Sequence, residues 1–194
     1  MTSLAHADRD AAAREVDSLV GMAIFLAAWA MLFAALFLAY GVVRVQAAEW
    51  PPFGAPRLPR GAPALNSLLL VASGLFLRRG LVRARRRGDQ RLPGTALLAS
   101  IVLGVAFLGA QVALWQVMRA RGLLPSSGVY GSVFFALTGF HALHVLGGLI
   151  ALAWLAVRDQ LRPASSLRAA RLAALYWDFI AGVWLLMYLA IFWL

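Results

Sequence analysis

Cysteine is absent from the 194-residue chain, and so is lysine, because all 18 basic residues are arginine. Without a thiol, a disulfide, a zinc-thiolate site, an iron–sulfur cluster and a catalytic cysteine are all excluded. Charged residues are scarce at 13%, whereas hydrophobic residues make up 62% of the sequence. A soluble domain has about 25% charged residues, so this composition excludes an ordinary soluble domain and a disordered chain. It predicts an integral membrane protein with one compact helical unit.

Five hydrophobic stretches are long enough to cross a bilayer as helices, which takes about 20 mostly apolar residues. They lie at about residues 19–43, 65–82, 97–118, 129–157 and 172–194. The alternation of polar and apolar residues that is typical of barrel strands is missing. The sequence therefore predicts an all-α membrane protein with a single five-helix transmembrane domain over 19–194. Residues 1–18 are predicted to be a cytoplasmic N-terminal tail rather than a signal peptide.

The arginines are distributed unequally between the two sides of the predicted bundle. Thirteen lie in the N-terminal tail and in the loops after the second and fourth spans, and five lie on the opposite side. The positive-inside rule then places the N-terminus in the cytoplasm and the C-terminus outside. We interpret the arginine run at 78–91 as a cytoplasmic anchor that meets anionic headgroups. No nucleic-acid partner is expected, since no recognition fold accompanies the run.

Few polar residues lie within the predicted spans, and each is a functional candidate because polar groups are costly in hydrocarbon. The candidates are His141 and His144 in the fourth span, Asp178 in the fifth and Gln111 in the third. The histidines are three residues apart and share one helix face. Interhelical hydrogen bonding, a proton-linked role and metal binding are all open for this pair. We expect His144 to form a hydrogen bond or ion pair with Asp178, directly or through water, because their predicted depths are similar.

The side chains available limit what chemistry this chain can perform alone. Two histidines on one helix face cannot clamp a haem from opposite sides, and a three-histidine or thiolate copper site lacks its ligands. We therefore predict no haem, no metal site and no catalytic residue in this chain. A nucleophile with its base, a phosphate-binding loop and a carboxylate pair are also missing. A small transporter or channel is an alternative, although few polar groups converge at mid-membrane to support it.

Several motifs occur in a fixed order along nearly the whole chain. Residues 130–148 closely follow the pattern YGSxFFxxTGFHxxHVxxG. Other motifs are the first span at 21–40, Trp50-Pro51-Pro52 followed by LNSLLL at 65–70, FLGAQ at 107–111, and YWDF through VWL at 176–185. Together they resemble subunit III of the haem-copper oxidases, which oxidise cytochrome c or quinol. The length resembles the short five-helix bacterial form of that family.

The resemblance implies a helical bundle with a cleft that holds phospholipids. It implies an accessory, non-redox subunit of a proton-pumping terminal oxidase, in contact with subunits I and II, in a bacterial inner membrane. Haem and copper would then lie in the partner subunits, and this chain would stabilise the catalytic subunit. Because guanidinium binds phosphate in a bidentate way, we predict that Arg78, Arg79 and Arg171 bind lipid headgroups.

Three positions depart from the family pattern. The family usually has glutamate where Trp29 and Leu114 stand, and histidine where Asp178 stands. The glutamate that would accompany the histidine pair is thus missing, and we hypothesise that Asp178 replaces it from another helix. Since related proteins also accompany nitric oxide reductases, a subunit III-like protein of such a complex is an alternative.

Overall fold

The computed structural model describes residues 2–89, 91–161 and 166–193. They form five helices, α1 (Thr2–Gln46), α2 (Gly61–Arg87), α3 (Gly94–Ala120), α4 (Val129–Leu161) and α5 (Ser166–Phe192). Each contains a stretch that is long and apolar enough to span a membrane, and the described residues contain no strand. The predicted all-α class with five spans is confirmed.

The helices extend beyond the predicted spans mainly at one end of the bundle. At the end predicted to be cytoplasmic, α1 begins at Thr2, α2 continues to Arg87 and α5 begins at Ser166. Each predicted span ends where its apolar stretch ends, whereas these extra turns are rich in arginine and alanine. Both residues have high helix propensity, so the helices continue into the polar region.

The turn between α2 and α3 has a clear physical basis. Gly88 follows α2 with a φ of 70°, in the left-handed region that glycine adopts without a Cβ penalty. The Asp89 N–H donates to the Ala84 carbonyl oxygen at 2.9 Å, which satisfies one of the last carbonyl groups of α2. Pro93 then precedes the first residue of α3. The two helices therefore form a tight antiparallel hairpin.

A pair of serines fastens this hairpin in its buried centre. The Ser73 hydroxyl donates to the Ser100 carbonyl oxygen at 2.7 Å, and the Ser100 hydroxyl donates to the Ser73 carbonyl oxygen at 2.9 Å. Two helical turns further along α2, an added Cβ at Gly80 would lie 2.6 Å from the Ala96 Cβ. The absence of a side chain at Gly80 is therefore what lets the two helices approach so closely.

Trp177 of α5 fills the centre of the bundle and is completely buried. Its ring lies against glycines of two other helices, since an added Cβ at Gly104 or at Gly148 would come within 3.0 Å of the indole. The large side chain therefore fits a space that small residues on α3 and α4 leave open. This contact ties α5 to both helices.

Helix α1 lies at the edge of the bundle. Within the described residues it packs on α4 and α5 and on no other helix. Its buried contacts come from Phe33 and Tyr40, whereas large apolar side chains such as Met31 and Leu38 are about 70% exposed. An apolar surface of this kind requires lipid or a partner protein around it.

Candidate functional site

The two histidines of α4 are enclosed by aromatic side chains. His141 and His144 are 1% and 7% exposed. The His144 ring centre lies 4.1 Å from that of Trp29 in α1, with the rings at 86°. The His141 ring lies 5.2 Å from the Trp184 ring in α5, and Phe33 lies 6.4 Å from His141 and 5.0 Å from His144. The Phe107 ring of α3 lies 5.9 Å from the His141 ring, so ring contacts of the pair join α4 to three other helices.

The hydrogen bonds of the pair are incomplete. The Nδ1 atom of His144 lies 2.6 Å from the Phe140 carbonyl oxygen, so we assign the proton to Nδ1 as the donor. Among the described residues, the His144 Nε2 and both ring nitrogens of His141 have no hydrogen-bond partner. A charged ring would be costly here because it would be buried among apolar groups. The arrangement therefore suits neutral imidazoles that act in packing.

The predicted direct bond between His144 and Asp178 is not formed. Instead, the Asp178 carboxylate accepts two hydrogen bonds from Arg78 of α2, with Nε–Oδ1 at 2.7 Å and Nη2–Oδ2 at 2.6 Å. It is Tyr176 whose hydroxyl donates to the His144 carbonyl oxygen, at 3.1 Å. Residues 176 and 178 are roughly 200° apart around the helix at about 100° per residue. Similar depth was therefore a poor guide, because Asp178 faces α2 while Tyr176 faces α4.

Gln111 belongs to a separate buried polar cluster between α2 and α3. The side-chain amide of Asn66 donates to the Gln111 Oε1 atom at 3.4 Å, which is a long hydrogen bond. Nearby, the Trp184 indole N–H donates to the Ser67 hydroxyl at 3.0 Å, and that hydroxyl donates to the Pro63 carbonyl oxygen. These bonds join the second turn of α2 to α3 and α5. Their role is therefore interhelical, and Gln111 is not brought to the histidine pair by any described bond.

The three arginines predicted to bind headgroups have different surroundings. Arg78 is paired with Asp178, and the Arg171 Nη1 atom lies 2.5 Å from the Glu15 Oε1 atom of α1. Arg79 pairs with no carboxylate of the described chain. It lines a surface groove of about 680 Å³ between α2 and α3, together with Arg83, Arg86 and Arg87.

A second groove, which we name the apolar groove, lies between α1, α4 and α5. It has a volume of about 480 Å³, and its lining includes Met22, Phe25, Ala151, Trp154, Arg158, Leu172 and Tyr176. All but Arg158 are apolar or aromatic. The Arg158 guanidinium lies 4.8 Å from the Trp154 ring centre, as expected for a cation–π contact. The groove therefore combines an apolar wall with one positive charge.

No group of three or more His, Cys, Asp or Glu side chains that could hold a metal ion occurs among the described residues. The chemistry that this geometry offers is ring packing, interhelical hydrogen bonding and the attraction of anions to arginine.

A family model described as cytochrome c oxidase subunit III matches residues 9–194. This chain belongs to the cytochrome c oxidase subunit III family. It is 35% identical over 178 residues to a probable cytochrome c oxidase subunit 3 of Nocardia farcinica and 33% identical over 177 residues to one of Mycobacterium leprae, covering 89% of this chain and 86% of each relative. It is 34% identical over 181 residues to cytochrome c oxidase subunit 3 of Loxodonta africana, covering 89% of this chain and 68% of the relative.

Two of the three positions at which this chain departs from the expected family pattern lie in different surroundings. Trp29 lies directly against His144, so the position where a glutamate was expected does face the histidine pair. Leu114 is 5% exposed and packs in a different cluster, with Met118 and Phe134. An aromatic ring thus packs against His144 at the position where the resemblance led us to expect a glutamate.

Some contacts of this subunit III were not predicted from sequence. The Ser73–Ser100 pair was detectable in principle, because serines within two apolar spans are candidates for interhelical bonds. The hydrogen bond from Arg44 to Tyr40, at 2.9 Å, was harder to predict from sequence. The i to i+4 spacing indicates that the two side chains are neighbours on α1, but it does not show that both reach the end of α5.

Proposed function

We propose that this chain is an accessory, non-redox subunit of a proton-pumping haem-copper oxidase that reduces oxygen to water. It would pack against subunits I and II in a bacterial inner membrane, with its N-terminus in the cytoplasm, and stabilise the catalytic subunit. The family match over residues 9–194 carries this proposal. The small number of metal-ligating side chains supports it, since the sequence has three histidines and no cysteine. The described His, Asp and Glu side chains form no group of three that could hold a metal ion. Haem and copper would belong to the partner subunits.

A gentle-detergent purification through a tag on this chain tests the complex directly. We expect a haem-copper oxidase spectrum and, by mass spectrometry, subunits I and II in the same preparation. Nitric oxide reductase subunits in their place would assign the chain to the alternative complex, and a chain that purifies without any haem protein would contradict the proposal.

We further propose that the apolar groove holds an acyl chain of a phospholipid whose phosphate lies near Arg158. The apolar wall of Met22, Phe25 and Leu172 suits an acyl chain, and guanidinium suits the phosphate. Arg79 is proposed as a second headgroup contact in the groove between α2 and α3, because Arg78 and Arg171 already donate to carboxylates.

The lipid proposal predicts that filling the apolar groove displaces phospholipid. Ala151→Trp places an indole in the groove without changing any charge. We expect the purified complex to retain about one phospholipid fewer and to inactivate faster during turnover, because an occupied groove excludes the acyl chain. Ala153→Trp is the matched control, since Ala153 is exposed on the same helix and is not part of the groove lining. Equal lipid content in the two variants would contradict the proposal.

The histidine pair is proposed to act as neutral packing groups rather than in proton transfer. His141→Phe keeps a ring among Trp184, Phe107 and Phe33 and removes two ring nitrogens that lack partners in the described chain. We expect an unfolding free energy within about 1 kcal/mol of the original, because replacing an unsatisfied buried group by an apolar one is nearly neutral. Proton pumping and the pH profile of turnover should also be unchanged. A shifted pH profile in a stable complex would favour a proton-linked role.

A further inference from the structure

Three arginines converge in a pocket at the end of the bundle where α5 ends, opposite the apolar groove. This pocket, which we name the outer pocket, has a volume of about 390 Å³. Its wall includes Arg44 at the end of α1, Arg57 and Arg60 in the following loop, and the aromatic rings of Trp50, Tyr130 and Trp193. Three of the five arginines predicted to lie outside are thus in one place.

Two of these arginines are held in position by the last turn of α5. Arg44 Nη1 donates to the Tyr40 hydroxyl at 2.9 Å, and that hydroxyl donates to the Ala190 carbonyl oxygen at 2.8 Å. Arg60 Nε donates to the Phe192 carbonyl oxygen at 3.0 Å. The last carbonyl groups of a helix lack intrahelical partners, so these contacts explain how both side chains are fixed. A guanidinium has five N–H donors, and each of the two therefore keeps donors for a ligand.

The positive charge of the outer pocket has no matching negative charge in the described chain. The ion pairs Arg78–Asp178 and Arg171–Glu15 lie at other places in the bundle. Glu49 is the one acidic residue in the loop between α1 and α2, and it pairs with none of the three arginines. Like charges held close together repel one another, so an anion in the pocket would be bound favourably.

We infer that the outer pocket binds the phosphate group of a phospholipid in the outer leaflet. Arginine binds phosphate through paired N–H groups, and tryptophan and tyrosine are enriched at the level of the headgroups. Val45 and Val129 are the sequence neighbours of the lining residues Arg44 and Tyr130. They are 85% and 55% exposed and offer apolar surface to the acyl chains. This site does not depend on the apolar groove, which lies at the other end of α4 and α5.

Arg57 is the side chain whose replacement tests the site with least damage to the fold. It is exposed and makes no hydrogen bond or ion pair within the described chain, unlike Arg44 and Arg60. Arg121 is the matched control, because it is an exposed loop arginine at the same end of the bundle and does not line the pocket. Each substitution by glutamine removes one positive charge.

The test titrates the delipidated complex containing this chain with phosphatidylglycerol and counts the bound lipids by native mass spectrometry. We expect Arg57→Gln to weaken one binding site roughly tenfold, as the loss of a charged hydrogen bond predicts, and Arg121→Gln to leave it unchanged. Diacylglycerol, which lacks the phosphate, should not fill this site, and inorganic phosphate should compete only weakly. Equal effects of the two substitutions, or equal binding of diacylglycerol, would overturn the inference.

One further result would also overturn it. If Arg57→Gln released a partner subunit while lipid binding stayed the same, the pocket would instead receive an acidic segment of that subunit. Loss of one phospholipid site in Arg57→Gln, with all subunits retained, supports the inference.

Discussion

Replacing Trp177 with alanine should lower the unfolding free energy of this subunit by about 3–5 kcal/mol, the range for large aromatic residues in cores. The side chain is completely buried and fills the space that Gly104 and Gly148 leave open on α3 and α4. Its removal leaves a cavity between three helices. Thermal denaturation of the purified complex, followed by the loss of this subunit, measures the effect.

Two variants show whether packing is the cause. Trp177→Phe should cost much less than alanine, because the indole N–H has no hydrogen-bond partner in the described chain and most of the ring is retained. Phe140→Ala removes an aromatic side chain from α4 that is 44% exposed and should have little effect on stability. A Trp177→Phe variant as unstable as Trp177→Ala would show that the indole N–H matters more than the ring.

Replacing Asp178 with asparagine should have the second large effect, because it leaves the Arg78 charge without its partner on the surface of a membrane-spanning helix. We expect a cost of about 1–2 kcal/mol, below the ~2.5–3.5 kcal/mol for arginine at a helix centre. The long side chain can reach toward the polar region and so reduce the cost. The yield of the assembled complex should fall, and inactivation during turnover should become faster.

A double substitution separates loss of the ion pair from loss of the carboxylate itself. Arg78→Gln combined with Asp178→Asn removes both charges and should recover most of the yield, whereas Arg85→Gln, at an exposed position of the same helix, should not lower it when tested alone. If the double variant were as poor as Asp178→Asn alone, the carboxylate would have a role beyond neutralising Arg78.

The apolar character of the chain made the number and order of helices predictable from sequence. The predicted spans at 65–82 and 97–118 lie inside α2 and α3, because a window of about 20 apolar residues has few alternatives to a membrane helix. The helix ends were less predictable. The arginine-rich turns of α2 remain helical to Arg87, which hydropathy does not indicate.

The contacts between polar groups depended on rotation about the helix axis, which sequence spacing fixes only within one helix. His141 and His144 do share one buried region, as their spacing predicted. The partner of Asp178 could not be derived in this way. Asp178 lies at a depth in the membrane where it could reach His144, but its side chain points toward α2 and pairs with Arg78. The packing of Trp29 against His144 likewise required the relative placement of α1 and α4.

We propose that this subunit supports an oxidase without carrying its redox centres. Removing the subunit from the purified complex and measuring haem, copper and turnover in both fractions tests this proposal. We expect all haem and copper to stay with the remaining subunits, which begin at the original turnover rate and then lose activity faster. Haem or copper leaving with this subunit in stoichiometric amount would contradict the proposal.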